Sequence, residues 1–393
     1  MFVSTSAGTQ GETGADHQAV TALKQIKRIE ASPPKAGPPC RFPAKSPSIS
    51  RQQASLREIP FDLSAPIDVS LPGKLEAPET VLYLAYGSNL CAETFLGKRG
   101  IRPLSQINVV VPELVMTFDL AGLPYTEPCF ANTAYRSLSP STPSHPSASP
   151  FSEKTSLLPT ASTSRPHWPK GLVGVVYEVT LADFAHIIAT EGGGSSYQDV
   201  LVDCYTLPHE TPSVPLHPRS TPFRAHTLFS PTTPPGDPPP KHGGRISRPD
   251  PEYAQPSARY LKLITDGADE HGLPGEYKTY LHALQPYTIT TNAQRLGRYI
   301  FMGVWAPLVM AVFALGSLFQ DEHGKSPGWL VRLTGVLFRA VWTSYDGVFK
   351  GVFGDGERTA VEGGGGEEKR KRKRRKLVKK VRFSAGREKG IDV

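Results

Sequence analysis

Two short stretches of this chain concentrate residue types that could do chemistry. The first is Tyr86-Gly87-Ser88-Asn89-Leu90, which follows the apolar run 80–86 (TVLYLAY) and precedes a helix-like stretch at 92–96. A strand that turns through glycine into a helix leaves backbone N–H groups without partners. Such a nest holds a carboxylate, or a carbonyl oxygen that is gaining charge. An ordinary strand-to-helix turn would read the same. The second stretch is Thr190-Glu191-Gly192-Gly193-Gly194-Ser195-Ser196-Tyr197. Glu191 falls at the C-terminal end of a predicted helix, where the negative end of the helix dipole disfavours ionisation and raises a carboxyl pKa. A carboxyl group so placed takes a proton and returns it near neutral pH, and the glycines let a substrate approach the backbone. The plainer alternative is a solvated glutamate ahead of a flexible loop.

A third stretch runs from Pro256-Ser257-Ala258-Arg259-Tyr260 through Asp266-Gly267-Ala268-Asp269-Glu270-His271-Gly272 to Glu276-Tyr277. It reads as two helices joined by a Gly/Pro turn, with Ser257 as N-cap and Pro274 in the first turn of the second helix. No catalytic triad or metal-ligating set is visible there. Helix packing against a sheet is the expectation for most of it, with Tyr260 and Tyr277 as aromatics at the core edge. Cys129 reads either as a pocket neighbour or as a buried strand cysteine.

The elements that must position these residues are legible from patterning. Strands are expected at 80–86, 107–111, 114–121, 129–135, 172–180, 197–207 and 223–229, and helices at 181–190, 257–267 and 274–284. Residues 1–78 are rich in Ser, Pro, Ala and Gln, with at most a short helix at 19–30, and are expected to be disordered. The folded domain is expected over 79–285, interrupted by Pro/Ser-rich inserts near 137–168 and 208–256. Across 393 residues there are 39 prolines and 36 glycines, too many for a globule built throughout.

Beyond the domain, residues 299–319 carry no charge over a length that suits a bilayer crossing, the alternative being a buried core helix. Residues 329–353 are apolar apart from Arg332, Arg339 and Asp346 at seven-residue spacing, which suits an amphipathic interfacial helix or a re-entrant partner. The remainder, 354–393, is a disordered basic tail. It holds 11 Lys or Arg within 369–382, so the formal net charge of +8 becomes −3 without them. Contact with an anionic lipid surface is the favoured role for that tail, ahead of a nuclear-localisation or nucleic-acid patch and of a plain solvated charge run. Arg295 and Arg298 before the first apolar segment balance Lys325 and Arg332 after it, so orientation is undecided locally. The N-terminus lacks a basic segment followed by an apolar run, so no secretory leader is expected and the domain is placed in the cytosol. Four cysteines without paired spacing fit a reducing compartment.

Taken in order, the YGSNL turn, the GVVYEV strand with its helix and Glu-Gly loop, and the PSxxYxxxxxxGAxEHGLPxEYxxxL stretch resemble the γ-glutamylcyclotransferase family over about residues 79–285, less the two inserts. The resemblance implies a mixed α/β (α+β) fold, with a small five-stranded barrel-like sheet flanked by helices. It implies an enzyme that converts a γ-glutamyl amino acid, peptide or amine to 5-oxoproline plus the free amine, without metal or cofactor. Carried over, Tyr86, Gly87, Ser88, Asn89 and Leu90 bind the γ-glutamyl group, Tyr197 lines the pocket, and Glu191 is the acid/base. Such proteins often form homodimers. The departures are the two inserts, the lengthened glycine run after Glu191 and the C-terminal extension; the inserts leave substrate choice open. The alternatives are an inactive membrane-tethered scaffold that still binds γ-glutamyl compounds, and a nucleic-acid binder acting through the tail.

Overall fold

Strands buried on both faces read as continuous β-branched and apolar runs rather than alternating ones. The computed structural model describes residues 42–63, 80–136, 166–190, 197–230, 248, 250, 252–319 and 327–359, and such runs form its centre. Seven strands occur among these residues: β1 (Thr80–Ala85), β2 (Ser105–Val111), β3 (Leu114–Leu123), β4 (Glu127–Tyr135), β5 (Leu172–Thr180), β6 (Gln198–Thr206) and β7 (Phe223–Phe229). Five of them close a barrel in the order β1-β5-β2-β6-β7, and β3 and β4 form a separate hairpin. β5 is antiparallel to both its neighbours, with Val176 opposite Leu84 on one side and Ile107 on the other. β7 pairs antiparallel with β6 and closes the ring in parallel with β1 through Tyr83 and His226. That closing strand lies inside 208–256, so the sequence expected to be an insert also supplies a wall of the barrel.

The helices follow their local signals. α1 (Ile49–Ser55) is capped by Ser48, whose hydroxyl accepts from Arg51 N at 3.1 Å. α2 (Leu181–Thr190) starts from Thr180, whose Oγ1 accepts from Asp183 N at 3.1 Å, and buries Phe184, Ile187 and Ile188 on the barrel. α3 (Ala258–Glu270) is capped by Ser257, whose Oγ accepts from Tyr260 N at 3.0 Å, and α4 (Gly275–Ala283) follows after Pro274.

Residues 42–63 fall in the region expected to lack structure, yet they form a strap across the barrel. Arg51 donates to Thr80 Oγ1 at 2.9 Å and to Thr80 O at 2.7 Å, and pairs with Glu58 at 2.7 Å. Glu58 meets His226 at 3.0 Å, and Phe61 N donates to Asp199 at 2.8 Å. The partners of Arg51, Glu58 and Phe61 within the barrel lie 29 to 168 residues away in sequence, so local composition carries no trace of them. The helix expected at 19–30, most of the first insert and the basic run 369–382 lie outside the described residues.

The C-terminal extension is a helical hairpin. α5 (Asn292–Phe319) is long and apolar enough to cross a membrane. α6 (Gly328–Ser344) returns alongside it and continues through a π-helical turn (Tyr345–Phe349) into α7 (Lys350–Phe353). Phe301, Val341, Trp342 and Tyr345 bury Tyr125, at the tip of the β3–β4 hairpin, in a second apolar cluster. Beyond α7 the chain docks back on the domain, where Tyr125 N donates to Gly356 O at 2.8 Å and Gln255 N to Glu357 O at 2.9 Å. Arg248 bridges Asp346 and Glu357, each at 2.7 Å. The start of the expected tail is therefore packed, because these carboxylates and carbonyls find partners on the domain.

Candidate active site

β1 ends at Ala85 and the chain turns through Gly87 into a single 3-10 turn, Ser88–Leu90. Leu90 N donates to Gly87 O at 3.0 Å and Cys91 N to Ser88 O at 3.2 Å. Among the described residues nothing accepts a hydrogen bond from the Gly87 or Ser88 amide. Both residues line an open cavity whose other walls are Tyr83, Tyr86, Asn89, Ala131, Tyr197, Leu228 and Tyr260. A Cβ on Gly87 would lie 3.3 Å from Tyr260 Oη and 3.6 Å from Ala131 Cβ, so a side chain here would crowd the wall.

Hydroxyl and amide groups fix this wall. Tyr86 donates to Leu228 O at 3.3 Å, Asn89 Nδ2 donates to Tyr83 Oη at 2.9 Å, and Ala131 N donates to Tyr260 Oη at 3.2 Å. Burial, then the neighbouring Tyr197, Tyr83 and Tyr260, push the Tyr86 phenol well above its usual range, so it stays a neutral hydrogen-bonding group. The described lining holds no carboxylate, imidazole or ammonium. It can orient a polar ligand and offer amides to an anion, but a proton shuttle working near neutral pH must come from another segment. Nor do three His, Cys, Asp or Glu side chains converge as a metal-ligand set among the described residues.

The turn is gripped from behind by the end of α3. Gly267 meets it so closely that a Cβ would sit 2.5 Å from Leu90 Cβ and 2.6 Å from Leu90 C. Glu270 accepts from Ala92 N at 2.7 Å. His271 Nε2 lies 2.9 Å from Leu90 O, and Tyr177 Oη lies 2.7 Å from the same nitrogen. A carbonyl oxygen only accepts, so Nε2 carries the hydrogen and Nδ1 is a bare lone pair, which has no hydrogen-bond partner. The Phe42 ring from the strap packs tilted against the imidazole, with ring centres 4.3 Å apart.

Burial, against the Leu90 carbonyl bond and with His209 nearby, pulls the His271 pKa down to about 4. The folded value lies below the ordinary 6.5, so this group contributes stability that is complete above pH 6.5 and is lost as pH falls towards 4. Urea unfolding at pH 7.5 and at pH 4 is expected to cost the wild type on the order of 3 kcal/mol more than His271→Gln over that interval. Equal losses in the two proteins would mean that the imidazole titrates freely.

A second buried group lies under the start of β6. His226 Nδ1 meets Asp199 at 2.6 Å, and its Nε2 meets Glu58 at 3.0 Å. Burial alone would lower the His226 pKa, but the hydrogen bonds to Asp199 and Glu58 outweigh it and raise it. Asp199 follows Tyr197 by two residues, so this cluster anchors the strand that carries Tyr197 to the cavity.

Of the residues expected at the site, Tyr86, Gly87, Ser88, Asn89 and Tyr197 line one cavity. Leu90 does not; its side chain is fully buried, and its carbonyl is held by His271. Glu191 lies outside the described residues, as do 192–196. They join Thr190, whose hydroxyl is met by the Arg99 guanidinium, to Tyr197 in the wall. Tyr83, Ala131, Leu228 and Tyr260 were not anticipated. Tyr260 stood in a recognised stretch but read as a core-edge aromatic, while Ala131 and Leu228 carry no chemical signal at all. Cys129 is buried in β4 and is absent from the lining, and Tyr277 packs against Trp168.

Residues 291–352 match a family model described as the AclK C-terminal domain. The chain is 29% identical over 281 residues to gamma-glutamyl cyclotransferase gliK of Aspergillus fumigatus, covering 70% of this chain and 89% of that one. It is 27% identical over 289 residues to gamma-glutamyl cyclotransferase aclK of Aspergillus oryzae, covering 70% and 90%. It is 30% identical over 146 residues to gamma-glutamyl cyclotransferase verK of Clonostachys rogersoniana, covering 37% and 70%.

Proposed function

This chain belongs to the γ-glutamyl cyclotransferase family, and on that premise we propose that it cyclises the γ-glutamyl group of an amino acid, peptide or amine conjugate to 5-oxoproline. The α-amine of the glutamyl group attacks its own γ-carbonyl carbon, and the bond to the departing nitrogen breaks. Five ring atoms come from the substrate, so no enzyme nucleophile is required. The attacking nitrogen begins as an ammonium and ends as the ring N–H, so it gives up two protons; Glu191 takes them in turn and passes them to the departing nitrogen, which leaves as an ammonium. The Gly87 and Ser88 amides hold either the developing oxyanion or a substrate carboxylate. The tyrosine wall keeps the chain curled, and a fixed geometry of this kind is worth up to about 7–11 kcal/mol.

The observation that carries this reading is that Tyr197, six residues beyond Glu191, lines the same cavity as Gly87, Ser88 and Asn89. That arrangement brings one end of the Glu191 segment to the glycine turn. Membrane attachment through the apolar C-terminal helix is part of the same proposal. Incubating the full chain with a panel of γ-glutamyl amino acids, γ-glutamyl amines and glutathione conjugates is expected to release 5-oxoproline with at least one of them. Binding across the panel without any turnover would instead favour a γ-glutamyl-binding scaffold.

A further inference from the structure

We infer that residues 292–353 form a one-sided membrane anchor: the chain enters an anionic bilayer and leaves it on the same face, so that the catalytic domain and the basic tail share one side. This rests on the membrane attachment proposed above and adds its topology and lipid class.

The hairpin is closed at both ends. Near the domain, Phe301 lies 5.0 Å from Phe349 and 6.5 Å from Tyr345, ring centre to ring centre. Near the tip, Phe319 lies 5.5 Å from Trp329. Between Phe301 and Phe319 the outgoing helix rises about 27 Å, close to the thickness of a bilayer's hydrocarbon core. The base is pinned to the domain by Tyr125, whose ring centre lies 5.8 Å from that of Phe301 and 5.6 Å from that of Tyr345. Gln294 Nε2 donates to Asp355 O at 2.7 Å, and Thr288 N donates to Thr359 Oγ1 at 2.9 Å. The residues that enter the hairpin and those that leave it therefore stand side by side.

Outside this base most of the described hairpin surface is uncovered. Only 17% of the most apolar window of α5 is buried, whereas the core helix of a soluble protein would be mostly covered. Val304, Leu308, Met310 and Phe313 on α5 and Val336 on α6 are all exposed. Such a surface needs a cover, and the charge distribution selects lipid over a second copy of the chain. Arg295 and Arg298 are exposed at the base, and the tail that follows Thr359 brings 11 Lys or Arg within 369–382. Arg295 and Arg298 thus mark the base, and the sequence that follows Thr359 there is strongly cationic, the charge pattern of the cytosolic side of an anionic membrane. Repeated across a dimer interface, the same cations would repel. Arg332 and Arg339 share one face of the return helix, about 6 Å along it from Gly328 and about 8 Å from Ser344 respectively, so each long side chain snorkels to the headgroups at its own end.

The test mixes the full chain, carrying an epitope after Val393, with preformed vesicles of phosphatidylcholine alone or with added phosphatidylserine. Flotation is expected with both and stronger with phosphatidylserine, the difference shrinking at about 0.5 M salt. External trypsin is expected to remove the epitope and the catalytic domain together. Leu308→Glu and Phe313→Glu are expected to lower flotation roughly tenfold or more while leaving the domain's melting temperature unchanged. A chain that floats with its epitope protected crosses once and overturns the inference. So does a chain that stays in solution as a dimer by light scattering. Measuring 5-oxoproline in the floated fraction separates the two claims: flotation without turnover sinks the enzymatic reading and leaves the anchor standing.

Discussion

Glu191→Gln is expected to leave a folded chain that releases 5-oxoproline about 10²–10⁴-fold more slowly, the range that a positioned acid/base contributes. Glutamine keeps the size and polarity of the side chain and loses only the ability to hold a proton. The loss should appear in kcat, with KM little changed, because the interaction forms as the ammonium gives up its proton. The described cavity wall offers tyrosine hydroxyls, amides and apolar groups, none of which replaces a carboxylate in that task near neutral pH. Full turnover by the Gln variant would move the shuttle to another residue and remove the central assignment.

Gly267→Ala is expected to cost about 10²-fold in turnover, although residue 267 does not line the cavity. The added methyl would stand 2.5 Å from Leu90 Cβ, 2.6 Å from Leu90 C and 2.7 Å from Cys91 N. Two of these atoms are backbone and cannot rotate aside, so α3 and the glycine turn must part. Because α3 also carries Tyr260, whose hydroxyl accepts from Ala131 N at 3.2 Å, the separation distorts both walls of the cavity together. Stability should fall by only about 1–3 kcal/mol, the usual cost of overpacking. Gly303→Ala is the control, since a Cβ there meets nothing within 4 Å and should leave turnover unchanged. Equal activity in the two variants would show that the turn tolerates displacement.

Much of the architecture was readable in one dimension because its causes are local. The run LVGVVYEVT makes β5, Thr180 starts α2, and Ser257 starts α3; each outcome depends on residues within a few positions. The same holds for the bend at Gly87, where strand, glycine and 3-10 turn follow directly in the chain. Other features depend on partners far away. The strap over 42–63 is held by Thr80, Asp199 and His226, none of them near it in sequence. Composition alone therefore described it as unstructured.

The glycine turn after an apolar strand, the glutamate before a glycine run, the proline-rich interruptions of the domain and the long apolar helix ahead of a cationic tail all follow from the order of residues in the chain. The place of Tyr260 in the cavity wall, the support that Leu90 gives the turn from within the core, and the pairing of the apolar helix into a hairpin depend instead on packing in three dimensions. That last point changes the charge balance. Counted along the chain, the cations on either side of 299–319 cancel, but Gln294 donates to Asp355 O and Thr288 to Thr359 Oγ1, so residues 355–359 leave the hairpin beside the residues that enter it. Periodicity and composition report the conformations of neighbouring residues, whereas cavities, supports and the pairing of helices arise from contacts between residues far apart in the chain, and those exist only once it has folded.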